Sequence, residues 1–464
     1  MLLIIMSCSE DFITKTDPDQ VTSDFVLSDL EQIKAALIGV YDGLQTPNYY
    51  GRYFVLIPDL MADGVKQNQD NSNRGTAQYR YEVTTNSGIA QGVWEDIYSV
   101  INRANIIIAS VPGVSGDEDL KNQIMGEALA LRALGHFDLV RFYALPYNIA
   151  TGVSGANGQG GHLGVPVVLS PLTPDASPAR NTVAEVYNQV IEDLEEAKTL
   201  MDDAANFSNY KFTSAAASAL LARVYLYKED WAEAEAAATE VINNTAYSLM
   251  DFSEYANSWD GIGANSETIF DVAFSIGDQN FTNSVGYIYS PNGYYDMLPT
   301  TDLDDVLAEI SNPATDVRGD TWDTSVPIAL KYTGPDNSAG VDNTRVLRLA
   351  EVYLIRAEAR AKQAKVNEAR ADLNALRANR NAPNTTATDG GLVTAILKER
   401  RIELAFEGHR LFDLTRTGEN LVRNDCQLTN GNCVVNFPDN RFAHPIPQVE
   451  IDVNPSMVQN EGYN

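Results

Sequence analysis

Two stretches of this chain carry the same helical hairpin at the same spacing, and that narrows the architectures open to it. Residues 214–228 and 231–243 read as two helices parted only by Glu229-Asp230. Small or aromatic residues recur at Ala222, Tyr225, Trp231, Ala234 and Ala238. The second copy runs over 346–363 and 366–380, where Ala357 and Ala369 repeat the twelve-residue gap between Ala222 and Ala234. A small residue at such a position lets two helix backbones cross closely, and an aromatic wedges the turn. Leu373 and Leu376 pack the second helix, and Asn381-Ala-Pro383 stops it.

This is the tetratricopeptide pattern, but roughly three such hairpins are needed before a stack is stable. Earlier helices supply the others if long insertions separate the partners. Apolar residues at helical spacing mark helices at 27–44, 89–111, 119–143 and 182–201, the last with Asn181 as its candidate N-cap. Pairing the first with the second and the third with the fourth gives four helix pairs, and a last helix over 392–414 packs beside them. The expected fold is all-α: a tetratricopeptide-like helical-repeat body of about four helix pairs, broken by long irregular insertions at 45–88, 145–180, 247–342 and 418–464. Insertions this long in a compact protein are usually functional. Here they are rich in Gly, Asn, Asp, Ser and Tyr, the composition of an adaptable binding surface rather than of a charged linker.

With 464 residues, 44% of them hydrophobic, the chain can bury a large core. Its 63 Asp and Glu against 33 Lys and Arg give a formal net charge of −30, a field that repels nucleic acid and anionic lipid surfaces. Cys8 follows the short apolar run Leu2-Leu-Ile-Ile-Met-Ser7, which is too short to span a bilayer. That run reads as a secretory-signal remnant over residues 1–7 whose cysteine is lipidated after cleavage, and Ser9-Glu-Asp11 as an acidic tag for the outer face. The remaining pair, Cys426 and Cys433, flanks the turn-rich Gln427-Leu-Thr-Asn-Gly-Asn432. A disulfide here suits an oxidising compartment and would contribute about 2.5 kcal/mol by loop entropy; two free thiols are the alternative.

The run Glu399 to Arg416 invites a catalytic reading, because Glu403 and Glu407 stand one helical turn apart. Arg400, Arg401 and Arg410 lie in the same turns and would hold those carboxylates ionised, the wrong state for a general acid. A structural ion-pair network is the better reading, also for Arg348, Glu351, Arg356 and Glu358. The four histidines, 136, 162, 409 and 444, lack metal-ligand spacing, and Gly155 to Gly161 lacks the Lys-Ser/Thr ending of a phosphate loop. Asp302-Leu-Asp-Asp305 lacks the glycine of a calcium loop. No metal, no cofactor and no catalytic residue is assigned.

Several blocks stand in one order along the chain: Trp94-Glu-Asp-Ile-Tyr98 with Asn102-Arg-Ala-Asn105, Gly164-Val-Pro166, Asp193-Leu-Glu-Glu-Ala197, Arg348 to Ala359, Arg400 to Arg416, and the terminal Pro445-Ile-Pro447, Asn454-Pro455 and Gln459 to Tyr463. In that order they resemble the SusD/RagB family of nutrient-binding surface lipoproteins. The resemblance implies one SusD-like domain over 8–464, with an N-terminal part to about 210 and a C-terminal part from about 211. It implies a protein without catalytic activity, lipid-anchored at Cys8 on the outer membrane and facing outward. Such a protein captures an oligosaccharide or polysaccharide and passes it to a SusC-like TonB-dependent transporter. The same scaffold binding peptides, or a periplasmic tetratricopeptide scaffold, are the competing readings.

A pyranose ring has an apolar face, so flat aromatic side chains are good platforms for it, and a tyrosine hydroxyl adds a polar handle. Trp94 and Trp231 lie on helical stripes and belong to the core, whereas Trp259, Tyr287, Tyr289, Tyr294 and Trp322 lie in the central insertion. Asp63, Asn68, Arg74 and Tyr79 gather in the first insertion beside Tyr49, Tyr50, Tyr53 and Tyr81. These nine residues, Asp63, Asn68, Arg74, Tyr79, Trp259, Tyr287, Tyr289, Tyr294 and Trp322, form the candidate ligand set.

Overall fold

The computed structural model describes residues 27–463 apart from 260, 261, 336, 337 and 339. Cys8 and the signal remnant lie outside the described residues. Helices of eight or more residues are α1 (Leu30–Leu44), α2 (Tyr53–Leu60), α3 (Gly88–Ser110), α4 (Glu118–Tyr143), α5 (Val183–Leu200) and α6 (Ser214–Lys228). They continue with α7 (Trp231–Ile242), α8 (Thr301–Ile310), α9 (Leu349–Lys362), α10 (Val366–Ala378), α11 (Asp389–Glu403) and α12 (Arg410–Thr417).

Local chemistry sets the ends of these helices. The Asp29, Ser87, Asp117 and Thr213 side chains cap the first turns of α1, α3, α4 and α6. For α5 the cap is Thr182 rather than Asn181. Thr182 and Glu185 close a reciprocal capping box, which satisfies two amide donors where Asn181 would satisfy one.

The frame is the expected set of four pairs, α1 with α3, α4 with α5, α6 with α7 and α9 with α10, each pair packing on the next, and α11 lies on α9. Ala222, Ala234, Ala357 and Ala369 are all fully buried, so the small residues do sit where helix backbones meet. Gly135 plays the same part in α4: a β-carbon there would stand 2.8 Å from the Ile101 side chain of α3. Charge reinforces the stack from inside. Arg132 of α4 makes a two-pronged pair with Asp193 of α5 (2.8 and 2.7 Å), and Arg356 of α9 does so with Asp372 of α10 (3.0 and 2.7 Å). Arg223 of α6 reaches Glu351 of α9 at 2.9 Å, and Arg416 of α12 grips Glu358 of α9 at 2.7 and 2.8 Å.

Two periodicity readings give way to tertiary demands. Residues 346–348, expected to open a helix, instead end strand β6 (Thr344–Arg348), which pairs antiparallel with β2 (Thr268–Val272). Extended backbone there delivers Arg348 to Glu403 and Glu407. The helix expected over 392–414 is interrupted between α11 and α12. Phe406 (φ +68°) and Gly408 (φ +79°) turn left-handed, so that the amides of Gly408 and Arg410 can donate to the buried Asp59 carboxylate of α2 at 2.8 and 3.3 Å.

The insertions are less irregular than their composition implies. Strand β1 (Val65–Gln67) pairs antiparallel with β3 (Met297–Pro299), which ties the first insertion to the central one. Short ribbons β4 (Trp322–Asp323) with β5 (Ile328–Ala329), and β7 (Leu421–Val422) with β8 (Val434–Val435), complete the set. The β7–β8 ribbon runs into the loop closed by the Cys426–Cys433 disulfide.

Candidate functional site

The β1–β3 pairing brings together side chains more than two hundred residues apart. Just beyond β1, the Asn68 amide donates to the Asp296 carbonyl (2.8 Å), and its side chain donates to the Tyr295 carbonyl (3.0 Å). The buried Asp296 carboxylate accepts the Ser72 amide at 2.8 Å and Arg74 at 3.3 Å. These bonds hold the 68–74 loop against the 287–296 loop, which is itself closed by the Tyr294 amide on the Tyr287 carbonyl (2.8 Å).

A half-exposed cluster results. The Arg74 guanidinium lies 3.4 Å from the centroid of the Tyr294 ring, and Tyr287 meets Tyr294 edge-on at 5.0 Å. Arg52, at the start of α2, lies 4.1 Å from the Tyr53 ring and donates to Asn283 at 3.2 Å. Burial, offset by Tyr53 and Tyr294 but reinforced by Arg74, lowers the Arg52 pKa, while its Nε donates to no protein atom. The hydroxyls of Tyr53, Tyr287 and Tyr294 also have no protein partner among the described residues. Half-exposed ring surface of Tyr53, Tyr287 and Tyr294, three hydroxyls without a protein partner and the half-exposed Arg74 guanidinium therefore belong to one cluster, with Arg52 buried at its edge. That combination offers an apolar shelf and a hydrogen-bonding fringe to a polyhydroxylated ring.

Asn68, Arg74, Tyr287 and Tyr294 of the candidate set come together here. The other five are drawn into the frame instead. Asp63 is gripped by Arg410 (2.8 Å to each oxygen); burial alone would raise its carboxyl, but Arg410 and Arg401 hold it down at about 2. Tyr79 is fully buried against the disulfide loop, with its hydroxyl on the Gln427 carbonyl at 3.3 Å. Trp259 is sealed beneath Arg345, whose guanidinium lies 3.7 Å from the ring. Tyr289 stacks parallel to Tyr332 with centroids 6.1 Å apart, and Trp322 donates its indole N–H to Asp304 at 2.8 Å. Large rings in long insertions can be taken up by the core: Tyr289 and Trp322 join the main core against Phe406, and Trp259 packs with Met250 and Tyr255. Sequence reasoning passed over Arg52, Asn283 and Asp296. The one signal available was Arg52 preceding Tyr53.

The Glu403/Glu407 pair is wholly internal. Burial would raise both carboxyls, but Arg380 and Arg348 hold Glu403 well below the ordinary range, and Arg348 with Lys331 hold Glu407 at about 2. The ionised network anticipated from sequence is present, with other partners. Arg400 pairs with Asp413, and Arg401 and Arg410 pair with Asp63. Among the described residues there is no group of three or more His, Cys, Asp or Glu side chains that could hold a metal ion, and no helix is long and apolar enough to cross a membrane.

Two family models match the sequence: one described as the SusD family over residues 278–463, the other as starch-binding associating with outer membrane over residues 11–226. A SusD superfamily protein from Bacteroides vulgatus is 30% identical, with a TM-score of 0.84 over 94% of this chain and 99% of that one. The chain belongs to the SusD family. SusD-like protein P2 of Formosa agariphila is 27% identical over 100% of this chain and 98% of its own length. A laminarin-binding SusD-like protein is 26% identical, with a TM-score of 0.73 over 94% of this chain and 100% of that one. The SusD family is one of carbohydrate-binding proteins that associate with the outer membrane, and the helical frame described above is the SusD frame.

Proposed function

We propose that the protein is a non-catalytic glycan receptor. An oligosaccharide would lie on the Tyr53–Tyr287–Tyr294 surface, with Arg52, Asn68 and Arg74 donating to its hydroxyls. The single observation that carries this reading is the half-exposed aromatic and guanidinium cluster assembled by two separate insertions and pinned by Asp296. The laminarin-binding neighbour supports a glycan ligand. The internal, ion-paired state of Glu403 and Glu407 supports binding without hydrolysis.

In this reading the protein is lipid-anchored at Cys8 on the outer face of the outer membrane. It hands its ligand to a SusC-like TonB-dependent transporter, whose co-purification after mild detergent extraction tests the partnership. Affinity is modest, because an open surface leaves much of a sugar in water. Isothermal titration against a panel of polysaccharides that includes laminarin tests the site. Binding that falls at least tenfold in Tyr294→Ala and Arg74→Ala, with no reducing sugar released, supports it. Heat with peptides and none with any glycan overturns it.

A further inference from the structure

The proposed glycan surface holds a cation that no group of the protein neutralises. Arg52 is only 7% exposed, yet it forms no ion pair among the described residues. Its Nη1 donates to the neutral Asn283 at 3.2 Å, and its Nε is sealed in without an acceptor. Its Nη2 has no protein partner either, but it is not sealed in. Other buried guanidinium groups are completed from within. Arg132 and Arg356 have their aspartate partners. Arg423 has no carboxylate and donates instead to the carbonyls of Leu60, Ala62 and Tyr79 at 3.0, 2.8 and 2.8 Å. A cation taken out of water without a counter-ion or a full set of acceptors is destabilising. Arg52 lacks both.

A second cation stands in the same cluster. The Gly51 carbonyl accepts the Val285 amide (3.1 Å) and Asn283 accepts Arg52, which fastens Arg52 to the segment that bears Tyr287. Tyr287 meets Tyr294, and Arg74 lies over Tyr294. Arg74 uses only its Nη1, on Ser72 and Asp296, and its Nε and Nη2 have no protein partner. Among the described residues Asp296 is thus the one carboxylate that either guanidinium reaches, and it also accepts the Ser72 amide and hydroxyl. Two guanidinium groups against one carboxylate leave a positive charge in excess. Burial lowers the Arg52 pKa and Arg74 lowers it further, with no carboxylate acting in the other direction.

Building on the glycan reading above, we infer that the bound oligosaccharide is acidic, with a carboxylate or sulfate ester seated against Arg52 and Arg74. A neutral sugar hydroxyl can accept from a guanidinium, but only an anion also balances its charge. A hexuronate carboxylate and a sulfate ester both present the oxygens that a guanidinium fork matches. The formal net charge of −30 does not oppose this contact. Salt at about 0.15 M screens charges beyond ~8 Å, so the nearest groups decide what binds, and here they are cations.

Isothermal titration of the full chain against polysaccharides in matched pairs tests the assignment. Each uronate polymer is run beside its carboxyl-reduced form, each sulfated polymer beside its desulfated form, and laminarin beside sulfated laminarin. The tightest ligand should be a charged member that binds at least about tenfold more tightly than its neutral counterpart, a difference of ~1.4 kcal/mol. The pair that shows it identifies the anion. The charged-to-neutral ratio should shrink as salt rises from about 0.05 to about 0.5 M. It should also fall at least fivefold in Arg52→Gln and, separately, in the half-exposed Arg74→Gln. Neutral members that bind as tightly as charged ones, or a ratio unaltered in both variants, overturn the inference and leave the glycan receptor standing. No binding of any carbohydrate overturns the receptor reading and this inference with it.

Discussion

Glu403→Gln separates a structural ion network from a catalytic pair. Glu403 is fully buried; it accepts Arg348 at 2.6 Å and Arg380 at 2.9 and 3.1 Å, with Arg318 at 3.7 Å. The network around it balances: Arg318, Lys331, Arg348, Arg377 and Arg380 are five cations, and Glu267, Asp316, Glu399, Glu403 and Glu407 are five carboxylates. The amide keeps the shape and one acceptor but removes one negative charge, which leaves a net positive charge sealed from water. Breaking a buried pair in this way costs about 3–5 kcal/mol. The four remaining carboxylates share the compensation, so the lower end of that range, ~3 kcal/mol, is expected.

Urea unfolding at pH 7 measures this loss. Glu240→Gln is the control, since Glu240 meets Lys198 at 3.1 Å with half its side chain exposed, and an exposed pair is worth roughly 0–1 kcal/mol. If Glu403→Gln loses no more than Glu240→Gln, water reaches the network and the reasoning fails. If it keeps full stability and abolishes a hydrolytic activity, the non-catalytic reading fails with it.

Three further outcomes are expected. Asp271 is buried, and burial pushes its carboxyl up to about 7 despite the nearby Arg345. A carboxyl raised on folding contributes stability that is complete below its unfolded pKa and lost as pH rises through its folded pKa. Asp271→Asn should therefore match the parent near pH 4 and gain on it by up to ~4 kcal/mol at pH 8; a difference that stays flat between those pH values refutes the assignment. Replacing Cys426 and Cys433 by serine should cost about 2.5 kcal/mol in thermal or urea unfolding. It should also weaken glycan binding, because that loop accepts Arg80 at 2.9 Å through Leu428 and so braces the segment bearing Asn68 and Arg74; unchanged affinity would show the brace to be idle. Gly408→Ala should lose ~2 kcal/mol or more by urea unfolding, since φ is +79° and the new β-carbon would stand 2.9 Å from the Val55 carbonyl oxygen; a loss under ~0.5 kcal/mol would mean that the α11–α12 turn relaxes freely.

The helical frame was legible because its signals are local. Ala222 and Ala234, and Ala357 and Ala369, declare a helix crossing within twelve residues, and the apolar stripes of α3, α4 and α5 need no distant partner to be seen. Segments whose conformation answers to a distant group were not legible. Arg348 adopts extended backbone to meet Glu403, and Gly408 turns left-handed to meet Asp59.

The candidate site divides along the same line. Sequence located the aromatic-rich insertions and named Asn68, Arg74, Tyr287 and Tyr294, because side-chain chemistry is a property of the residue. Which rings face water is a property of packing. Trp259, Tyr289 and Trp322 look no different from Tyr294 in the sequence, yet they are packed into the core, while the β1–β3 pairing and the Asp296 carboxylate leave Tyr287 and Tyr294 half-exposed. The sequence by itself determined the repeat and the chemical repertoire. Only the tertiary structure decided which members of that repertoire are displayed, because exposure depends on contacts between segments more than two hundred residues apart.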